Sequence, residues 1–129
     1  MNRTAGVALI SVLSFVLTMS VLLSSLVLSC RIVWSIRDRE RTFEHCAAYA
    51  TGVARTLLQD LQEGHVIKSS QTLQFDQAQV AITAADHNGL TLVKVEVEIR
   101  DVSDTIGFTY DTIAHRLRAW QDNGPGIVE

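Results

Sequence analysis

Proline is almost absent: the 129 residues contain one, Pro125. Nothing upstream of it removes a backbone donor or blocks a helix by ring clash, so long uninterrupted helices are permitted. Cysteine is equally scarce. Cys30 and Cys46 are the whole complement, which excludes a disulfide scaffold. On one helix they would lie about 24 Å apart, far beyond the ~7 Å between Cα atoms that a disulfide tolerates. Charge is sparse too. Charged residues make up 19% of the chain and the net charge is −3, so there is no bulk attraction to phosphate and nucleic-acid binding is not expected. The four histidines, His45, His65, His87 and His115, show no metal-ligand spacing. There is no glycine-rich phosphate loop and no G-x-S-x-G. No catalytic residue, metal or cofactor is expected, and the chain does not read as an enzyme.

What the sequence has is apolar residues, 47% of the total, concentrated at the front. From Ala5 to Cys30 no charged side chain occurs, where about 20 apolar residues span a bilayer as a helix. Six serines (Ser11, Ser14, Ser20, Ser24, Ser25, Ser29) interrupt the run, each able to bond a carbonyl one turn back. The run is longer than the roughly 7–15-residue core of a secretory signal, and Cys30-Arg31-Ile32-Val33-Trp34 lacks a small-x-small cleavage site. Residues 7–30 are therefore expected to cross a membrane once, with Trp34 as an interfacial anchor. Arg31, Arg37, Arg39 and Arg41 follow the span, against Arg3 before it. The positive-inside count favours a cytoplasmic C-terminal part.

The helical period continues beyond the membrane. Ile36, Phe43, Ala47, Ala50, Ala54, Leu57 and Leu61 form a stripe on one side of a helix over 31–64, small enough in its middle for close approach by a sheet or a second helix. Gly64 suits the C-terminal cap. After His65 the period falls to two. Ala78, Val80, Ile82 and Ala84 alternate with polar or small residues, and Asn88-Gly89 supplies a tight-hairpin pair. Val93, Val95, Val97 and Ile99 then alternate with Lys94, Glu96, Glu98 and Arg100, the pattern of a half-buried antiparallel strand. Ile106, Phe108 and Tyr110 give a third strand, and Arg116–Gln121, with Leu117 and Trp120, a short last one. Tyr110 and Trp120 are expected to fill the core beneath the helix. Residues 65–121 thus form the sheet domain, and 122–129 a tail expected to fray at Asp122-Asn123-Gly124-Pro125-Gly126. The fold class is α+β: a long N-terminal helix packed on a small antiparallel β-meander.

This order of parts resembles type IV pilins and pseudopilins. Met1–Gly6 looks like their short basic leader, with Arg3 as its charge, and Val7-Ala8-Leu9-Ile10-Ser11-Val12-Leu13 like the start of a mature pilin helix. The resemblance implies that a prepilin peptidase cuts between Gly6 and Val7 and that the new N-terminus is methylated. Most pilins carry Glu at the fifth mature position; Ser11 stands there, as in a minority that includes the tip-type minor pseudopilin of type II secretion and the ComGG pseudopilins of competence pili. The former carry a large inserted domain for which this chain has no room. Phe108-Thr109-Tyr110-Asp111 followed by Leu117-Arg118-Ala119-Trp120-Gln121 is similar to the end of the ComGG family. The resemblance spans nearly the whole chain in layout and is specific at Gly6–Leu13 and Phe108–Trp120. It implies a single-pass membrane protein with its domain on the outer side, at the surface or tip of a pilus after assembly. Its partners would be the major pseudopilin and other minor pseudopilins, met through the apolar helix and its stripe, with Ser11 bearing on assembly. The function implied is initiating or capping a competence-type, type II secretion-like pilus for DNA uptake, through protein contacts alone. Two other readings stand beside it: a bitopic scaffold whose stripe is a parallel coiled coil without a sheet, and a membrane-tethered sensor or adaptor with a cytoplasmic domain, which the arginines favour.

Overall fold

Without proline or a cluster of glycines to break it, α1 runs unbroken from Arg3 to Gln62 in the computed structural model, which describes residues 3–127. It ends where a left-handed residue becomes available. Gly64 has φ +85°, its amide donates to the Leu61 carbonyl at 3.1 Å, and the His65 amide donates to the Asp60 carbonyl at 2.9 Å. These two bonds are the Schellman pair, which satisfies carbonyls the helix end would otherwise leave open. Five strands follow: β1 (Ser70–Phe75), β2 (Ala78–His87), β3 (Leu90–Ile99), β4 (Val102–Asp111) and β5 (Arg116–Ile127). They form one antiparallel sheet in sequential order. The chain divides into two compact units, one up to Arg39 and one from Glu40 onward.

In the first unit every described side chain is exposed. It contains a segment of α1 long and apolar enough to cross a membrane, compatible with a single-pass membrane protein. Four of its hydroxyls are turned inward on their own backbone: Ser11 donates to the Val7 carbonyl at 3.0 Å, Thr18 to Ser14 at 2.8 Å, Ser24 to Ser20 at 2.8 Å and Ser29 to Ser25 at 2.9 Å. A hydroxyl satisfied in this way adds little cost in lipid.

In the second unit the later part of α1 lies on the sheet. Cys46, Ala50, Ala54, Leu57 and Leu61 are buried in one cluster with Val80, Ile82, Val93, Val95, Val97, Ile106 and Phe108. The small residues at Ala50 and Ala54, with no exposed area, let the helix sit close to the strands. The apolar stripe is thus covered by the chain's own sheet and is not the open seam of a parallel coiled coil. The stripe is also rotated slightly from its sequence reading: Cys46 is fully buried, Ala47 half-buried and Ile36 59% exposed.

Three two-residue hairpins set the register. Asn88 and Gly89 both have positive φ (51° and 79°), as a turn twisted to match the flanking strands requires, and they join His87 to its partner Leu90. Asp76-Gln77 and Arg100-Asp101 make the other two, linking the pairs Phe75↔Ala78 and Ile99↔Val102. With that register the even positions from Ala78 to Ala84 and the odd positions from Val93 to Ile99 all face the helix.

Two elements depart from the sequence expectation. β1 was not anticipated: its side chains are exposed except the half-buried Gln71, and its apolar alternation is limited to two residues, Leu73 and Phe75. β5 extends through Ile127, across the stretch expected to fray, because β4 offers a free edge for it to pair with. Residues 128–129 of the expected tail, and Met1 and Asn2 of the expected leader, lie outside the described residues.

Candidate functional site

The surface that calls for a function is the apolar half of α1. Leu9, Val21 and Leu23 are 71%, 68% and 61% exposed, and the neighbours that would cover them are not in their own unit. An apolar surface of this length needs lipid or other apolar helices around it. Gly6 and Val7, the expected processing pair, lie inside α1, which already begins at Arg3. A Cβ placed on Gly6 would meet nothing within 4 Å, so packing within the chain does not account for glycine there. Ser11 is one turn beyond Val7, with its hydroxyl committed to the Val7 carbonyl. It brings no charge to the surface around it.

The two aromatic residues expected in the core have different fates. Tyr110 is buried, 1% exposed. Trp120 is 38% exposed, which corrects its assignment to the core. The cause is its strand. Among the described side chains, the buried sheet residues come from β2, β3 and β4, the strands that α1 covers, whereas every described side chain of β5 up to Asn123 is exposed. Trp120 is opposite Phe108 in register and covers it from the rim, rings stacked with centroids 5.8 Å apart and 12° between planes. The structure therefore brings together Phe108, Tyr110 and Trp120 at the β4–β5 seam, in the second unit. Gly6, Val7 and Ser11 cluster separately at the start of the first.

The seam has a polar lock that the sequence pattern does not display. β5 carries an extra residue, Arg118, between the pairs Thr109↔Ala119 and Tyr110↔Leu117. The bulge turns Arg118 toward Asp111, whose Oδ2 accepts from Nε at 3.1 Å and Nη2 at 3.0 Å. The other carboxylate oxygen accepts from the amides of Ile113 at 3.0 Å and Ala114 at 2.9 Å. Asp111 thereby closes the β4–β5 turn. The Ala114 amide above all, and then Arg118, hold its carboxyl below the ordinary carboxylate range. Phe-Thr-Tyr-Asp and Leu-Arg-Ala-Trp are in effect one structural unit.

Cys46 and Asp104 also escaped the sequence reading. The Cys46 thiol donates to the Val97 carbonyl at 3.2 Å, across the helix–sheet interface, and burial pushes its pKa up. Cys30 is exposed and belongs to the other unit. Asp104 is 1% exposed in the row of helix-facing β4 residues. His65, folded back by the Schellman turn, lies near Asp60 and Glu63, with one ligand atom of each within 4.8 Å. Glu63 is engaged there by Gln59 at 3.0 Å and His65 at 3.8 Å, so the group reads as pairing at an exposed helix end. An apolar groove of about 640 Å³ separates α1 from β1, lined among others by Tyr49, Val53, Leu73 and Phe75, with the Tyr49 and Phe75 rings stacked at 6.3 Å. Comparison with family models, with curated proteins and with solved structures finds no match for this chain.

Proposed function

We propose that the chain is a minor pseudopilin, closest in its sequence features to the ComGG competence family. In this reading it helps initiate or cap a type II secretion-like pilus used for DNA uptake. One observation carries it: a single helix whose first half is apolar and entirely exposed and whose second half is buried on an antiparallel meander. The first half is suited to leave the bilayer for a bundle of like helices, the second to carry a folded domain at the outer side of that bundle. The stripe from Ala50 to Leu61 is occupied by the chain's own sheet, so contacts with other pseudopilins fall to the Val7–Leu28 surface and to the open groove beside β1.

Ser11 specifies the position in the assembly. A carboxylate there could neutralise a neighbour's N-terminal amine inside an apolar bundle, where an unpaired charge is costly. A hydroxyl already bonded to Val7 offers no such partner. The subunit belongs at an end or in the initiating complex, at low copy number. Mass spectrometry of the N-terminus in cells that contain a prepilin peptidase tests the reading: a chain beginning at methylated Val7 supports it, and an intact Met1 overturns it. Gly6→Leu should block the cut. Abundance in sheared fibres equal to that of the major subunit would refute the end position, and Ser11→Glu should raise its content there.

The four arginines after the span favour a second reading, a membrane-tethered adaptor with a cytoplasmic domain. Protease accessibility in spheroplasts separates the two. Digestion of the sheet domain from outside excludes the adaptor.

A further inference from the structure

The two ends of β5 are held in opposite ways. Its start is clamped by the Asp111–Arg118 pair and the Phe108–Trp120 stack. Its far half begins with a second irregularity: between the pairs Ile106↔Asp122 and Asp104↔Pro125, β4 has one residue and β5 has two, Asn123 and Gly124. Beside this bulge, opposite Pro125, is Asp104, 1% exposed. Neither of its carboxylate oxygens has a hydrogen-bond partner among the described residues. A buried carboxyl without partners is costly when charged and far less so when neutral.

Against that cost stands only the neighbouring Thr105 amide, which favours the charged form less than burial disfavours it. From α1 the titratable neighbour is the Cys46 thiol, itself disfavoured as an anion by burial and then by Asp104. From β3 the helix-facing neighbours are Val95, Val97 and Ile99, while Glu98, on the opposite face, adds negative potential at Cys46. From β4 the flanking residues in the same row are Val102 and Ile106. From β5 comes Asp122, a second carboxylate. Arg100 and Asp101 in the β3–β4 turn, and Asp122 itself, each make further interactions. Burial first, and the charge of Asp122 second, raise the pKa of Asp104.

We propose that Asp104 makes the far end of β5 an acid-locked strap: with Asp104 neutral the backbone beyond Gln121 stays paired to β4, and with Asp104 and Asp122 both ionised that end leaves the sheet. The consequence is an edge that opens on demand. The backbone of Val102–Ile106 would be free to pair with another strand, while the Arg118 clamp and the Trp120 stack keep the rest of β5 in place. The sign follows from linkage. Because the folded form holds the Asp104 proton more tightly than the unfolded chain, the strap is most stable at acid pH. It weakens as pH rises from the ordinary carboxylate range to the raised value in the fold.

Hydrogen exchange on the full-length chain in detergent micelles, from about pH 4 to pH 8 and corrected for intrinsic rates, reads this directly. Amides beyond Gln121 should lose at least about tenfold protection as pH rises, while β3 and residues 116–120 stay protected. Asp104→Asn should keep the strap protected across the range. Asp122→Asn, on the exposed side of the pair and harmless to the core, should reduce the pH dependence without abolishing it. Unchanging protection in the wild type overturns the proposal, as does a pH dependence that survives in Asp104→Asn. If Asp104→Asn does not fold, an Asp122→Asn variant with an undiminished pH slope overturns it equally.

Discussion

Replacing Trp120 by alanine tests whether β5 is part of the core or a cover over it. A fully buried tryptophan hides roughly 200 Å². With 38% of Trp120 exposed, about six-tenths of that is in play, worth ~3 kcal/mol at about 25 cal/mol per Å². The unfolded chain already hides some of this surface, which brings the figure to about 2 kcal/mol. Phe108, 3% exposed beneath it, should cost about 3–5 kcal/mol when cut to alanine, because that change leaves a cavity between helix and sheet. Urea titration and thermal melting of the full chain in mild detergent, each followed by far-ultraviolet circular dichroism, measure both. Trp120→Ala should lower the melting temperature by on the order of 10 °C without loss of cooperativity. The double variant isolates the stacking, which should couple the pair by about 0.5–1.5 kcal/mol. A Trp120→Ala cost equal to that of Phe108→Ala would show the rim to be core after all. Strictly additive effects would show that the stacked rings do not stabilise one another.

Ala50→Leu should destabilise the helix–sheet interface by about 1–3 kcal/mol, since a residue with no exposed area at a close approach has nowhere to place three more carbons; calorimetric melting of the full chain reads it. Asp111 sets a pH dependence opposite to that of Asp104. Its carboxyl is held low by the Ala114 amide and Arg118, so the stability it contributes is complete above the ordinary carboxylate range and is lost as pH falls through its depressed value. The gap in urea midpoint between wild type and Asp111→Asn should therefore close in acid. Gly89→Ala should be destabilising, because φ is +79° and the new Cβ would come within 2.7 Å of Ile113 Cδ1, whereas Asn88→Gly should be nearly neutral by the same melt.

The legible parts of this fold were those in which one face of an element is buried. Val93, Val95, Val97 and Ile99 are at most 6% exposed and alternate with the charged Lys94, Glu96 and Glu98, so composition and contact coincide residue by residue. Asn88-Gly89 and Gly64 declared themselves because only a few residue types tolerate positive φ. The edges were not legible. β1 is exposed but for the half-buried Gln71, with Leu73 and Phe75 lining an open groove, and β5 is exposed over all its described side chains; the backbone pairing that holds each to its neighbour is not written in an apolar face. Trp120 was misplaced for the same reason. A large aromatic on a strand signals packing, but not whether a helix reaches that strand.

The candidate sites divide along the same line. Gly6, Val7 and Ser11 could be singled out because their meaning is positional, fixed by distance from the start of an apolar run, and position along a chain is what a sequence records. Asp104 could not. In sequence it is one more acidic residue beside a turn, and only the register that sets it between Val102 and Ile106, facing α1, turns it into a buried carboxyl. Asp111 is its counterpart: also an acidic residue on β4, 6% exposed, but supplied with four donors by a turn and a bulge. Two carboxylates on the same strand are thus driven in opposite directions, Asp111 downward by the Ala114 amide and then Arg118, Asp104 upward by burial and then Asp122. The pairing of β4 with β5 is therefore fixed at the end where Asp111 meets four donors and conditional at the end where Asp104 is buried beside a second carboxylate.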